Sequence, residues 1–238
     1  MNFFDQNRER SIRNIPVWIL PSLLIALLVQ ISWHNFRPDP IAQMVDLKSP
    51  PTKEMINAMS FGDPVALSKL TMLWLQAHDN QPGISIPFKN LDYVILTQWL
   101  KRILDLDPLG QYPLLSAARV FSQVPDMERK RQVLKFVEQE FHKDPNRRWQ
   151  WLAHAAFVAK HHLKNQKLAL KFAESLAEKA TGDNVPGWAK QMQIFLLEDM
   201  GEIESAKILL GGLLESGQVT DQNEQAFLYQ RLRELEEK

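Results

Sequence analysis

Cysteine is absent from this chain, which excludes disulfides, thiolate metal ligands and cysteine nucleophiles while leaving the cellular compartment open. Net charge is absent too, because 28 Lys and Arg balance 28 Asp and Glu. A nucleic-acid binder normally needs a basic surface to displace counterions from phosphates, so nucleic acid is not an expected partner. The chain also lacks Gly-x-Gly-x-x-Gly, a Walker loop and Gly-x-Ser-x-Gly. Phosphate cradles and serine-hydrolase elbows therefore have no support, and the expectation is a protein without a cofactor that is not an enzyme. Long alternating stretches are missing as well, which argues against a sheet.

What is present begins with an apolar run. Ile15 to Trp33 holds nineteen residues without a charge, and as a helix it reaches roughly 28 Å, close to the hydrocarbon thickness of a bilayer. A retained anchor over 15–34 is the expectation. Two other readings compete with it: a cleaved signal peptide, disfavoured because no small-x-small exit follows Leu28, and a buried helix of a soluble protein. Pro16 and Pro21 fall in the first turns, where a missing amide donor is cheapest, and Trp18 and Trp33 lie near the ends, as interfacial aromatics do. Residues 1–14 carry Arg8, Arg10 and Arg13 against Asp5 and Glu9. Positive flanks stay cytoplasmic, so the expected topology is single-pass in the inner membrane, N-terminus in the cytoplasm and main body in the periplasm. Residues 35–52, with Pro38, Pro40, Pro50 and Pro51, read as an extended spacer that holds the body off the bilayer.

The body, 53–238, has apolar residues at helical spacing throughout, and 45 % hydrophobic with 24 % charged residues is ordinary for a folded chain. The fold class is therefore all-α. Turn signals at Gly62-Asp63-Pro64, Gln81-Pro82-Gly83, Asp107-Pro108, Val124-Pro125-Asp126, Asp144-Pro145 and Gly182 to Pro186 place helices near 53–61, 64–79, 89–106, 111–123, 126–142, 147–163, 165–180, 187–200, 202–216 and 221–236. Three markers recur with one period. Tyr112, Trp149 and Trp188 lie 37 and 39 apart, Val133, Ala169 and Ala206 lie 36 and 37 apart, and the two Asp-Pro pairs lie 37 apart. Such self-similarity points to repeated helix pairs, which bury their apolar faces by stacking.

These pairs resemble the tetratricopeptide repeat. Trp149, Leu152 and Ala153 match its W-x-x-L-small opening, with Ala156 in place of the usual aromatic; Met200 to Ala206 is similar to its hinge, and Pro145 follows Val133 by twelve as the repeat-ending proline does. The period exceeds the usual 34, and Gln191-Met192 stands where a leucine and a small residue are usual. Behind the expected N-terminal transmembrane helix, the resemblance implies a solenoid of antiparallel pairs at about 64–106, 111–142, 147–180 and 187–216. The helix at 221–236, apolar on one side only through Phe227, Leu228, Leu232 and Leu235, would cap it. Phe61-Gly62-Asp63, Leu73 to Gln76 and Leu104 to Pro108 also look like single-span, repeat-bearing proteins of Gram-negative envelopes.

In that family the first helices line a concave binding face, which by resemblance puts Tyr112, Leu115, Arg119, Arg148, Trp151, His154, Ala155, Lys190 and Gln191 near a protein partner in or beside the membrane. An alternative is an accessory subunit of a membrane enzyme or an export or assembly complex, contacted through the span. Other constellations are weaker. His154 and His161 share a helix face, but no His-Glu-x-x-His accompanies them, so no metal is expected. Asp105, Asp107, Glu198, Asp199, Glu202 and Glu204 read as helix-end and solvated carboxylates rather than an acid–base pair. Residues 126–180 hold twelve Lys or Arg against seven Asp or Glu, and 181–238 hold five against eleven. The basic side chains read as a solvated exterior or a basic groove. Trp149, Trp151, Trp188, Phe157 and Phe195 read as packing.

Overall fold

The computed structural model describes residues 16–36, 45–81, 84–217 and 219–237. The flank 1–14, whose arginines carry the expected orientation, lies outside the described residues, as do Ile15, Pro82, Gly83 and the 37–44 part of the spacer. The chain divides into two units, 1–43 and 44–238.

The first unit holds α1 (Ile19–Phe36). It starts four residues later than the apolar run because Pro16 and Pro21 crowd the entrance. The Ile19 amide donates to the Pro16 carbonyl at 3.0 Å, and the Ser22 amide donates to that of Trp18 at 3.1 Å. None of its residues is buried. A core helix of a soluble protein would hide one face, so the buried-helix reading does not describe α1. Among the described residues it is the one helix long and apolar enough to cross a membrane.

The second unit is almost wholly helical: α2 (Lys53–Met59), α3 (Pro64–Ala77), α4 (Tyr93–Leu106), α5 (Tyr112–Arg119), α6 (Met127–Phe141), α7 (Pro145–His161), α8 (Gln166–Lys179), α9 (Gly187–Lys190), α10 (Met192–Asp199), α11 (Ile203–Glu215) and α12 (Gln222–Glu236). Local chemistry sets the starts. Asp63, Asp92, Asp126, Asn165 and Asp221 each accept a backbone amide from the first turn that follows, satisfying donors the helix cannot satisfy itself. Gly201, at φ +80°, turns the chain out of α10. Between α3 and α4 a two-residue antiparallel ladder, β1 (Asn80–Gln81) with β2 (Ile84–Ser85), pairs Asn80 with Ser85 and Gln81 with Ile84.

Two expected helices are interrupted. The one placed at 111–123 ends at Arg119 and continues as a 3-10 turn at 121–123, where the Phe121 carbonyl accepts from the buried Tyr93 hydroxyl at 3.1 Å. Burial pushes that phenol well above its usual range. The one placed at 187–200 breaks at Gln191, whose side-chain amide bonds Glu224 of α12.

Helices pack mainly on near neighbours: α3 on α4, α4 and α5 on α6, α5 and α6 on α7, α7 on α8, α8 on α10, α10 on α11 and α11 on α12. One core runs from Met72 and Leu96 through Leu114, Val133, Phe141, Leu152 and Phe172 to Leu196, and a smaller one joins Ile194, Leu197, Ala206, Leu210, Leu228 and Leu235. Helix α10 contributes to both. Ala169 and Ala206 have no exposed surface, which lets neighbouring backbones approach at their crossings.

The end of the expected spacer belongs to this unit. Leu47 is buried in the larger core, the Trp99 indole donates to the Lys48 carbonyl at 2.7 Å, and the Gln81 amide brackets Val45, donating to its carbonyl and accepting from its amide, each at 2.9 Å. Residues 45–51 are therefore a docked strap. Prolines kept them extended, but Leu47 found a core to enter.

Candidate functional site

The nine residues expected on a binding face do not share one environment. Helices α5 and α7 pack on each other and bring seven of them together. Tyr112 is half exposed and its hydroxyl accepts from the Gln76 side chain at 2.7 Å; Leu115 is partly buried against the core, and Arg119 is exposed. Arg148 is buried. Its guanidinium donates to the Glu140 carboxylate at 3.0 Å, to the Glu140 carbonyl at 2.7 Å and to the Pro108 carbonyl at 2.9 Å. Trp151 is buried as well, with its indole N–H donating to Gln111 at 2.7 Å, and Ala155 has no exposed surface. His154 lies partly buried between them, its Nε2 without a hydrogen-bond partner. Burial first, and then the positive charge of Arg119, hold this imidazole below its usual pKa.

Four of the nine therefore need correction as surface contacts. Arg148, Trp151, Ala155 and Gln191 lie inside the fold and hold helices together. The physical reason is depth: helical spacing assigns a residue to a face, but whether a neighbouring helix covers that face depends on tertiary packing. Lys190 remains partly exposed, with its ammonium 3.4 Å from the Thr181 carbonyl.

The basic stretch is consumed only in part, and Arg131, Arg147, Lys164 and Lys167 stay exposed. Lys130 and Arg148 are buried, Lys171 pairs with Glu138 at 2.8 Å, and Lys160 pairs with Asp199 across from α7 to α10. The carboxylates set aside as non-catalytic are also engaged, Asp105 by Arg102 at 3.1 Å and Glu198 by Arg231 at 2.5 Å.

A different site emerges on the next face of α7. Ala156, Phe157, Lys160 and His161 recur at spacings of three and four and so share one side of that helix. Opposite them stand Trp188 of α9 and Met192, Phe195, Leu196 and Asp199 of α10, and the space between is a groove of about 240 Å³. Its aromatics are interlocked: Phe157 lies 4.5 Å from His161 between ring centroids, Trp188 meets Trp149 edge-on at 5.5 Å, and Phe195 reaches Phe227 of α12 at 6.5 Å. A shallower hollow beside Gly187, Gln191 and Glu224 continues from it through Trp188 and Phe195. Phe157 is 49 % exposed and Trp188 is 53 % exposed. Two of the residues read as packing, Phe157 and Trp188, are thus only half packed.

The chemistry of this groove is apolar and aromatic, closed at one rim by the Lys160–Asp199 ion pair. It suits insertion of large apolar side chains, with the ion pair able to exchange partners at the edge. The signal in the sequence was the aromatic density itself, Trp149, Phe157, Trp188 and Phe195. Spacing alone did not separate covered aromatics from open ones. No family model, curated protein or solved structure matches this chain.

Proposed function

We propose that this chain is a non-enzymatic, single-span adaptor of the inner membrane of a bacterial envelope, with a tetratricopeptide-like helical body that holds a protein partner. In this reading the N-terminus is cytoplasmic and the body periplasmic. The observation that carries it is the aromatic groove in which Phe157 and Trp188 stand half exposed beside Phe195. Small-molecule and cofactor sites usually enclose about 300–1,000 Å³. This groove is smaller and open along one side, which suits one or two side chains of a partner helix or peptide laid across α7 and α10.

Photocrosslinking in native membranes tests it. Probes replacing Phe157 and Met192 of the full chain are expected to capture one common partner, and Trp188→Ala is expected to abolish capture while the helical body stays folded. A probe at the exposed Gln230 is expected to capture nothing. Equal capture from 230, or unchanged capture in Trp188→Ala, overturns the groove assignment.

A second reading rests on α1, none of whose residues is covered. An uncovered apolar helix offers side chains to other spans, as an accessory subunit of a membrane enzyme or assembly complex would. Exchanging 1–33 for an unrelated anchor separates the two, since groove-borne function survives the exchange and span-borne function does not.

A further inference from the structure

The first two helices of the second unit carry fewer buried residues than α4 to α8 in the middle of it. In α2 only Ile56 is buried, and in α3 only Ser68, Met72 and Leu75, whereas α7 buries eight residues. What α2 and α3 leave uncovered is apolar. Met55, Met59, Leu70, Leu73 and Trp74 are each between 47 % and 63 % exposed, and Phe61 is 97 % exposed. Phe61 sits at the tip between the two helices at φ +48°, followed by Gly62 at φ +94°. A bulky residue in the left-handed region is uncommon and costs energy, so the turn holds an aromatic ring outward at some expense. Monomeric soluble proteins seldom leave such a contiguous set to water.

The docked strap lines one groove together with the apolar face: Val45 and Lys48 on one side, Met59, Leu70 and Trp74 on the other. The strap is covalently joined to α1 through eight residues, 37–44. Fully extended, that connection spans at most about 30 Å. If α1 lies in a bilayer, the tether keeps the apolar face within a bilayer's thickness of the lipid at high effective concentration.

Chemistry favours lipid over a protein surface. Specific protein interfaces carry about one hydrogen bond per 100–200 Å². Here the nearby polar groups are already engaged: the Ser60 hydroxyl donates to the Asn57 carbonyl at 2.6 Å, Asp63 caps α3, and the Trp99 indole is held by Lys48. The remaining face is aromatic and aliphatic, and the exposed charges beside it balance, Lys53 and Lys69 against Glu54 and Asp63. That is the composition of a surface that settles at the headgroup and acyl boundary.

We infer that the α2–α3 face, led by Phe61, docks into the interfacial layer of the same bilayer that holds α1, so that the helical body lies against the membrane. The inference rests on the anchor reading above. It reverses the expectation that residues 35–52 hold the body away from lipid.

The absence of cysteine makes the test clean. Single variants Phe61→Cys, Leu70→Cys, Leu24→Cys and Gln230→Cys of the full chain are nitroxide-labelled and reconstituted in phosphatidylcholine–phosphatidylglycerol vesicles. Power-saturation EPR then compares collision with oxygen, which concentrates in lipid, against collision with a water-soluble nickel chelate. Labels at 61 and 70 are expected to give oxygen-to-nickel ratios several-fold above that at 230, approaching the ratio at 24. Nickel-dominated collisions at 61 and 70, with a lipidic label at 24, overturn the docking and leave the anchor standing. Dipolar broadening between labels at 70 overturns it in favour of a second copy on this face. A nickel-dominated label at 24 overturns the anchor reading and the docking together.

Discussion

Replacing Arg148 with methionine tests whether this residue is a structural clamp between α6, α7 and the 107–110 turn or a contact for a partner. Methionine keeps much of the side chain's length, so the change isolates the guanidinium. Three donations disappear, to the Glu140 carboxylate and to the carbonyls of Glu140 and Pro108. Removing one member of a buried ion pair costs about 3–5 kcal/mol, because the partner charge stays buried. Here Lys143, half exposed, also reaches Glu140 at 2.5 Å, so the carboxylate is not abandoned and the cost falls near the lower end, about 3 kcal/mol. The double variant Arg148→Met with Glu140→Leu removes both charges and strands only two carbonyls, at about 1 kcal/mol each. It is therefore expected to be more stable than either single variant. Urea unfolding of the full chain in detergent, followed by the fluorescence of the neighbouring tryptophans, measures all four corners of the cycle. A single Arg148→Met within about 0.5 kcal/mol of the parent, or a double variant whose loss equals the sum of the singles, refutes the clamp.

Three further outcomes follow from the same packing. His154 binds a proton less readily in the fold than in the unfolded chain, whose value lies near the ordinary 6.5. Its contribution to stability is thus present above that pH and is lost as pH falls below it; thermal melts at pH 7.5 and 5.5 should show a smaller loss in His154→Gln than in the parent, and an unchanged loss contradicts the assignment. Gly201→Ala meets no neighbouring atom, but forces alanine to φ +80°, so a loss of about 1 kcal/mol in urea midpoint is expected from backbone strain alone. Ala169→Leu, at a position with no exposed surface in α8, is expected to cost about 1–3 kcal/mol by overpacking, whereas Ala169→Gly should cost about 1 kcal/mol through helix propensity; a neutral leucine there would mean that the crossing is loose.

The helices were legible because their punctuation is chemical and local. Asp63, Asp126 and Asp221 sit where a cap is needed, and Pro64 and Pro145 sit where a helix tolerates proline. Interruptions were less visible. Nothing in Gly187 to Asp199 signals a break at Gln191 until Glu224, 33 residues on, supplies the partner for its side chain. The site was legible as composition only. Arg148 and Arg119 look alike in sequence, yet one is buried against Glu140 and the other is exposed, because only the first has the 107–110 turn folded over it. Phe157 and Phe172 are likewise both helical aromatics, the first open and the second sealed. The strap was misread for the same reason. Its prolines report local backbone preference, whereas the docking of Leu47 depends on a cavity formed by residues far along the chain.

That strap also has a mechanical meaning. A pull exerted on the chain from its N-terminal side enters the helical body at Val45, where Gln81 grips both the amide and the carbonyl of one residue. Before any tension can reach α2 it must break that grip, extract Leu47 and detach Lys48 from Trp99. Two of these fastenings sit on separate elements that follow α3, Gln81 in β1 and Trp99 in α4, so the load is shared between the β1–β2 turn and α4 instead of peeling one helix from its end. The strap thus acts as a strain relief, like the clamp on a cable, and lets the helix pairs behind it keep their shape while the chain ahead of them is tugged.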